Sequence, residues 1–176
     1  MVYYGAKELA ASSRTVRGNT IIIAQDIPED KYAFKPVPDY RTVAQLLGHI
    51  AFAYRFQYQL HSEKRKTLEG FDFPALMKAL MEEENRPRTK AQVIDLLKKE
   101  GEKWAVWVEG LSDGFLGEPV QMPEGATPPQ KSRFEMILSV KEHEMHHRGQ
   151  LMLVQRLVGI VPHLTLERQA RMAQTK

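Results

Sequence analysis

Three segments of the chain repeat apolar residues every three or four positions, which is the period of an amphipathic helix. The other positions are mostly polar or charged. The apolar positions are Val43, Leu46, Leu47, Ile50, Ala53 and Phe56 in the first segment, Val93, Leu96, Leu97, Trp104, Trp107 and Leu111 in the second, and Met136, Val140, Leu151, Val154, Leu157 and Val158 in the third. The pattern therefore predicts three long helices, each with one buried face.

Each of these segments begins with the sequence of a capping box. A hydroxyl residue stands at the start and a glutamine or glutamate follows three positions later, so that each side chain can bond the other residue's amide. The pairs are Thr42 with Gln45, Thr89 with Gln92, and Ser132 with Glu135. Because the same device occurs three times, we predict helix starts at these positions.

The remaining segments complete an all-α fold. "AKELAASSRTVRGNTIIIAQDI" predicts a first helix that stops before Pro28, and "FDFPALMKALMEEEN" predicts a short extra helix. The proline-rich segments "PEDKYAFKPVPDY" and "GEPVQMPEGATPPQ" predict long crossover loops, and no segment has a convincing strand pattern. We expect one domain over residues 1–176, a four-helix bundle.

Composition narrows the possible functions. The 25 basic and 22 acidic residues are interspersed and leave a net charge of +3, which does not favour a nucleic-acid-binding surface. No basic segment followed by an apolar run opens the chain, and no apolar stretch is long enough to span a bilayer, so we expect a cytoplasmic protein. The chain has no cysteine, so any metal must be held by nitrogen and oxygen ligands.

The most unusual segment is "KEHEMHHRGQ", residues 141–150, with three of the six histidines. On a helix, His147 lies about 40° from His143 on one side and His146 about 60° on the other. The apolar stripe of the same helix passes through His143 and His147, and Gln150 also faces inward. Unpaired polar groups in a core cost about 1–3 kcal/mol each, so this stripe needs a partner that satisfies both imidazoles.

A third histidine lies on another helix. "LLGHIAFAY" places His49 near the inward face of the second helix, and facing helices of a bundle can assemble a metal site in its core. We therefore predict that His49, His143 and His147 bind a divalent metal ion. Three imidazoles suit zinc, nickel or another first-row ion and leave a coordination position open.

Other interpretations of these histidines stay open. A lone His49 would more often be a hydrogen-bonded core residue, and the whole segment could be a solvated polar face. The three-residue separation of His143 and His146 argues against the zincin motif H-E-x-x-H. We expect His61 and His163 to lie at the surface.

Two stretches resemble the DinB/YfiT-like superfamily. "HEMHHRGQLMLVQRLVGIVP" resembles its closing helix, in which a histidine pair four apart precedes R-G-Q, and "PVPDYRTVAQLLGHIAFAY" resembles its second helix. The resemblance implies an up-down-down-up four-helix bundle, often a homodimer, with a divalent metal on three histidines, here His49, His143 and His147. Some members are S-transferases or isomerases that use bacillithiol, mycothiol or glutathione.

Three functions follow as hypotheses. In the first, the ion acts as a Lewis acid in an enzyme that activates a bound thiolate or water toward a small electrophilic molecule. In the second, the metalloenzyme hydrolyses amide or ester bonds. In the third, the ion only stabilises the bundle of a non-enzymatic stress protein, with a closed coordination sphere and no adjacent cavity. The catalytic residues and any thiol-binding residues are unknown at this point. Gln150, Glu142 and Glu144 are candidates to orient the ligands, of which only Gln150 faces inward.

Overall fold

Long helices packed side by side form the body of the molecule, and shorter elements connect them. The computed structural model describes residues 4–174. In chain order the helices are α1 (Ala6–Asp26), α2 (Val43–Phe52), α3 (Arg55–Ser62), α4 (Phe73–Asn85), α5 (Lys90–Glu109), α6 (Asp113–Gly117), α7 (Arg133–Leu157) and α8 (His163–Gln174). Two short strands, β1 (Pro119–Gln121) and β2 (Gln130–Ser132), pair antiparallel ahead of α7. A single 3₁₀ turn covers Glu29–Lys31.

Contacts between helix ends define the order and direction of the bundle. Lys90, at the start of α5, donates a hydrogen bond to the Gln25 carbonyl at the end of α1 (2.6 Å), so α1 and α5 are antiparallel. Gln155, near the end of α7, reaches Asp26 at the end of α1 (3.4 Å), so α1 and α7 are parallel. The end of α3 lies against Arg133, the first residue of α7, so α2 and α3 run opposite to α7. The four-helix bundle is therefore up-down-down-up, with α2 and α3 together as its second member, as predicted.

The predicted helix starts are confirmed. At Thr42 and Thr89 both hydrogen bonds of the capping box form, so two exposed amides at each helix start are satisfied. Ser132 accepts a hydrogen bond from the Glu135 amide (3.1 Å) and caps α7. The extra helix predicted between the second and third long helices is α4, capped by Asp72.

The structure also departs from the predicted pattern. The second long helix is not continuous, because it breaks at Ala53 and Tyr54 into α2 and α3. The β1–β2 pair and the helices α6 and α8 were not predicted. The hairpin buries Val120 completely, which a three-residue strand is too short to reveal by periodicity. The prediction that Leu157 faces the core is wrong, since that side chain is 57% exposed at the last turn of α7.

A buried ion pair joins four helices at the centre of the bundle. Arg17 on α1 makes two hydrogen bonds of 2.9 Å to the Glu144 carboxylate on α7, which also accepts one from Thr20 (2.7 Å). The same guanidinium donates to the carbonyls of Leu97 on α5 (2.9 Å) and Ile50 on α2 (3.2 Å). Because Glu144 is held towards α1, the neighbouring His143, about 100° around the helix, faces α2.

No helix within residues 4–174 is both long and apolar enough to cross a membrane.

Candidate metal centre

Three histidine side chains from two antiparallel helices converge at one point inside the bundle. His49 comes from α2, and His143 and His147 lie one turn apart on α7. The Nε2 atom of His143 lies 3.1 Å from Nε2 of His49 and 3.1 Å from Nε2 of His147. One nitrogen from each ring falls within 4.8 Å of the other two, and His147 is buried while the others are half-buried. The structure thus brings together the three residues predicted as ligands.

The spacing of His143 Nε2 from the other two nitrogens suits a metal ion. Two imidazole nitrogens at about 2.0–2.1 Å from one ion are about 2.9–3.4 Å apart for bond angles of about 90–110°. The observed separations of 3.1 Å fall in this range. A cation would also satisfy all three nitrogens together, whereas a single proton on Nε2 of His143 would have to be shared between two neighbouring nitrogens.

A carboxylate sets the tautomer of His49. Glu84 on α4 contacts Nδ1 of His49 with one oxygen and accepts a hydrogen bond from Nε of Arg41 with the other (2.9 Å). A carboxylate can only accept, so Nδ1 of His49 carries the proton and Nε2 presents its lone pair to the other histidines. Burial pushes the pKa of Glu84 upward, but the hydrogen bonds from His49 and Arg41 outweigh it and hold the pKa below its ordinary value. Carboxylate–histidine pairs of this kind orient metal ligands in many proteins.

An amide oxygen sets the tautomer of His147. Nδ1 of His147 lies 2.6 Å from Oε1 of Gln150, and an amide oxygen only accepts, so Nε2 of His147 is again the free acceptor. The Tyr40 hydroxyl donates to the same oxygen (2.5 Å), and the Gln150 amide nitrogen lies 3.1 Å from Nε2 of His146. His146 thus contacts Gln150 rather than the three converging histidines, and its side chain is exposed. Gln150 has the inward orientation expected from its helical angle.

Burial favours the neutral form of His143 and His147. Burial, and then the neighbouring imidazoles and Arg41, lower the pKa of His143 to about 4. Burial also lowers the pKa of His147, against a hydrogen bond to Gln150 that raises it. Nδ1 of His143 is buried without a hydrogen-bond partner among residues 4–174. Neutral imidazole is the form that binds metal ions, so these ligands need little or no deprotonation at neutral pH.

The glutamate inside the histidine segment has a different role from the one its sequence suggests. Counted from His143 to His147, residues 143–147 do match H-E-x-x-H, so rejecting that motif on spacing was wrong. In zincins this glutamate is the general base beside the metal. Here Glu144 lies about 100° around the helix from His143 and is buried in an ion pair with Arg17 (2.9 Å), so it is not available as a base at the centre.

The two remaining histidines differ from expectation. His61 is not at the surface: it is 1% exposed, with Nδ1 2.9 Å from Nη1 of Arg133 and Nε2 3.1 Å from Oε1 of Gln57. Burial, and then the positive charge of Arg133, lower the pKa of His61 to about 4. His163 is half-buried, with Nε2 3.4 Å from the side-chain oxygen of Asn19. Neither residue joins the group of three.

Sequence reasoning missed Glu84, although its position held a signal. It lies in the acidic run Glu82–Glu84, near the end of the segment predicted as a short extra helix. Glu84 follows the buried Leu80 by four residues, so both share the inward face of α4. A glutamate that continues an apolar face needs a buried partner, and here that partner is His49.

A pocket of about 290 Å³ opens beside the three histidines. His49 and His143 form part of its wall, and Phe73, Met77 and Leu80 of α4 form another part. The extra helix therefore has two roles at the site, since it carries Glu84 and also shapes the adjacent cavity.

Comparisons with known proteins agree with this architecture. A sequence model of the DinB superfamily matches residues 14–151, most of the chain. The chain belongs to the DinB superfamily. No curated protein matched it.

Solved structures show the same fold. The DinB-like protein YjoA of Bacillus subtilis is 20% identical, with a TM-score of 0.63 over 86% of this chain and 92% of YjoA. YfiT of Bacillus subtilis, described as a probable metal-dependent hydrolase with an unusual four-helix bundle topology, is 13% identical, with a TM-score of 0.68 over 91% of each chain. An uncharacterized protein of Clostridium difficile is 15% identical, with a TM-score of 0.68 over 90% of this chain and 99% of that one. At these identities the likeness concerns the fold.

Proposed function

We propose that this DinB-superfamily protein is a divalent-metal-dependent enzyme that acts on a small molecule. The observation that carries the proposal is the convergence of three Nε2 atoms, from His49, His143 and His147, beside a cavity. Zinc, nickel or another first-row ion fits this all-nitrogen set. An ion held there would supply Lewis-acid chemistry, with a coordination position left for a reactant.

The residues of the chain hold and orient this centre. Glu84 and Gln150 keep the protons of His49 and His147 on their Nδ1 atoms, so that both Nε2 atoms point inward. Arg17 holds Glu144 and thereby sets the rotation of α7. A cavity beside two ligands is what a catalytic site requires, whereas an ion that only stabilised the bundle would need none.

Transfer of a low-molecular-weight thiol is the reaction class that we favour. A metal ion would itself lower the pKa of a bound water, but a leaving amine or alkoxide also needs a proton donor. The two buried carboxylates near the centre are both occupied, Glu84 by His49 and Arg41, and Glu144 by Arg17. A thiol with a pKa of about 8.5 loses its proton far more readily than water and needs no strong base. Since the chain has no cysteine, the thiol must come from a second small molecule. Its sulfur would form a bond to an electrophilic carbon as the leaving group departs, and the thiol proton would pass to solvent.

Hydrolysis of amide or ester bonds is the second candidate, supported by the description of YfiT as a probable metal-dependent hydrolase.

Purified protein loaded with zinc or nickel would be assayed with an aryl halide and with aryl esters, each with and without glutathione, bacillithiol or mycothiol. We expect metal-dependent conjugation only when a thiol is present. Ester cleavage that is independent of thiol would favour the hydrolase instead. Equal rates with wild-type and His147→Ala protein would overturn both candidates.

A further inference from the structure

The wall of the pocket beside the histidines is apolar. Side chains from α2, α3, α4 and α7 form it, most of them apolar, and none of them is an acidic residue, a lysine or an arginine. These apolar residues are Ala53, Phe56, Phe73, Met77, Leu80 and Val140. An anionic or cationic group placed here would lose its hydration without gaining a partner, which is strongly unfavourable.

The polar residues of the wall are already engaged. The hydroxyl of Ser139 donates to the Met136 carbonyl (2.6 Å). Arg133 can only donate, so Nδ1 of His61 accepts from it (2.9 Å) and Nε2 of His61 donates to Oε1 of Gln57 (3.1 Å). This relay fixes the Gln57 amide oxygen as the acceptor of the hydrogen bond from His61.

The size of the pocket limits what it can hold. At about 290 Å³ it lies at the lower end of ligand-binding cavities, which are about 300–1,000 Å³. It has room for one ring or a short branched chain. Phe56 also packs edge-on against Phe73, with ring centroids 5.5 Å apart, which presents aromatic surface to such a group.

We propose that this pocket binds an uncharged, compact alkyl or aryl group of the substrate and places its reactive atom next to His49 and His143. The inference rests on the proposed function, because the reactive end of the substrate is positioned at the metal centre. It adds the substrate class: a small hydrophobic molecule, and not a phosphate, sugar or carboxylate.

The test compares ligands that share one metal-binding group. Acetohydroxamate, benzohydroxamate and 4-carboxybenzohydroxamate would be titrated calorimetrically into zinc-loaded protein and into metal-free protein. We expect benzohydroxamate to bind zinc-loaded protein at least tenfold more tightly than acetohydroxamate. The affinity of 4-carboxybenzohydroxamate should be at least tenfold lower than that of benzohydroxamate. Metal-free protein should bind none of the three measurably.

Two kinds of variant localise the effect. Ala53→Phe fills the pocket and should abolish the preference for benzohydroxamate over acetohydroxamate. The affinity of this variant for acetohydroxamate should stay within about threefold of the wild-type affinity. Met77→Gln makes the wall polar, and Met81→Gln is its matched control, because Met81 lies one turn further along α4 and is 53% exposed outside this pocket. Only Met77→Gln should weaken benzohydroxamate binding, by severalfold.

The outcomes separate the two proposals. If zinc and acetohydroxamate do not bind, the proposed function fails. The proposed substrate pocket is wrong, while the metal centre stands, in two cases in which zinc and acetohydroxamate do bind. In the first, benzohydroxamate binds no more tightly than acetohydroxamate. In the second, it binds more tightly, but this preference persists in Ala53→Phe and is equal in the two methionine variants.

Discussion

Glu84 is the residue outside the histidines whose replacement should change metal affinity most directly. Its side chain is 7% exposed. One carboxylate oxygen accepts a hydrogen bond from Nδ1 of His49, and the other accepts one from Nε of Arg41. In Glu84→Gln, the amide oxygen can still accept from His49, but the negative charge is lost and Arg41 is left unneutralised near the cation.

The magnitude follows from the strengths of these hydrogen bonds. A hydrogen bond to a charged group contributes about 1.5–3 kcal/mol and one between neutral groups about 0.5–1.5 kcal/mol, so the change costs about 1–1.5 kcal/mol. Since about 1.4 kcal/mol corresponds to a factor of ten, Glu84→Gln should weaken zinc binding about tenfold. Glu84→Ala also releases the orientation of His49, and the loss should approach about a hundredfold.

The assay is competition for zinc with a chromophoric chelator at pH 7, with thermal melting of the metal-free variants to show that the fold persists. Glu82→Gln is the matched control, because it makes the same change of charge on the same helix at an exposed position. A zinc affinity of Glu84→Gln within twofold of wild type, or an equal loss in Glu82→Gln, would refute a specific role for the Glu84–His49 contact.

Four further predictions follow from the structure. His147→Ala should lose most of its bound metal in elemental analysis, whereas His163→Ala, which changes a histidine outside the centre, should retain it. Chelator-treated protein should keep most of its far-ultraviolet helical signal and melt at a lower temperature, because the apolar core does not depend on the ion; complete loss of helix would contradict this. Arg17→Met should lower the free energy of unfolding by about 3–5 kcal/mol in denaturant titrations, because Glu144 would stay buried without its partner. The unfolded chain protonates His61 below about pH 6.5, whereas the folded protein protonates it only near its pKa of about 4. The free energy of unfolding should therefore fall by up to about 1.4 kcal/mol for each unit that the pH is lowered between these values. His61→Gln should reduce this slope.

Local features of the fold could be predicted from the sequence because their causes lie within a few residues. The capping boxes at Thr42 and Thr89 involve partners three positions apart, so both the helix starts and their hydrogen bonds followed from the pattern. The same holds for the shared face of His143 and His147, one turn apart on α7, and for the inward orientation of Gln150. His49 could be added because its own helix has a clear apolar face.

Features that depend on distant parts of the chain could not be predicted in this way. His61 had no partner in its own segment and was placed at the surface, yet it is buried against Arg133, 72 residues further along. The break between α2 and α3 at Ala53 and Tyr54 is another example, since the apolar stripe continues across it. There Tyr54 is buried against Trp104 of α5, with its hydroxyl bonded to Glu100 (2.8 Å).

By itself, the sequence determined the helical class, the helix starts and the three histidines that face the core, because helical period and capping are local. Only the tertiary structure decided what those histidines meet. It directed Glu144 to Arg17, 127 positions away, rather than to the three histidines, and placed Glu84 against His49, 35 positions away. Buried charges must find partners wherever the packed helices bring them, and that choice is made by the packing of the whole bundle rather than by any one segment.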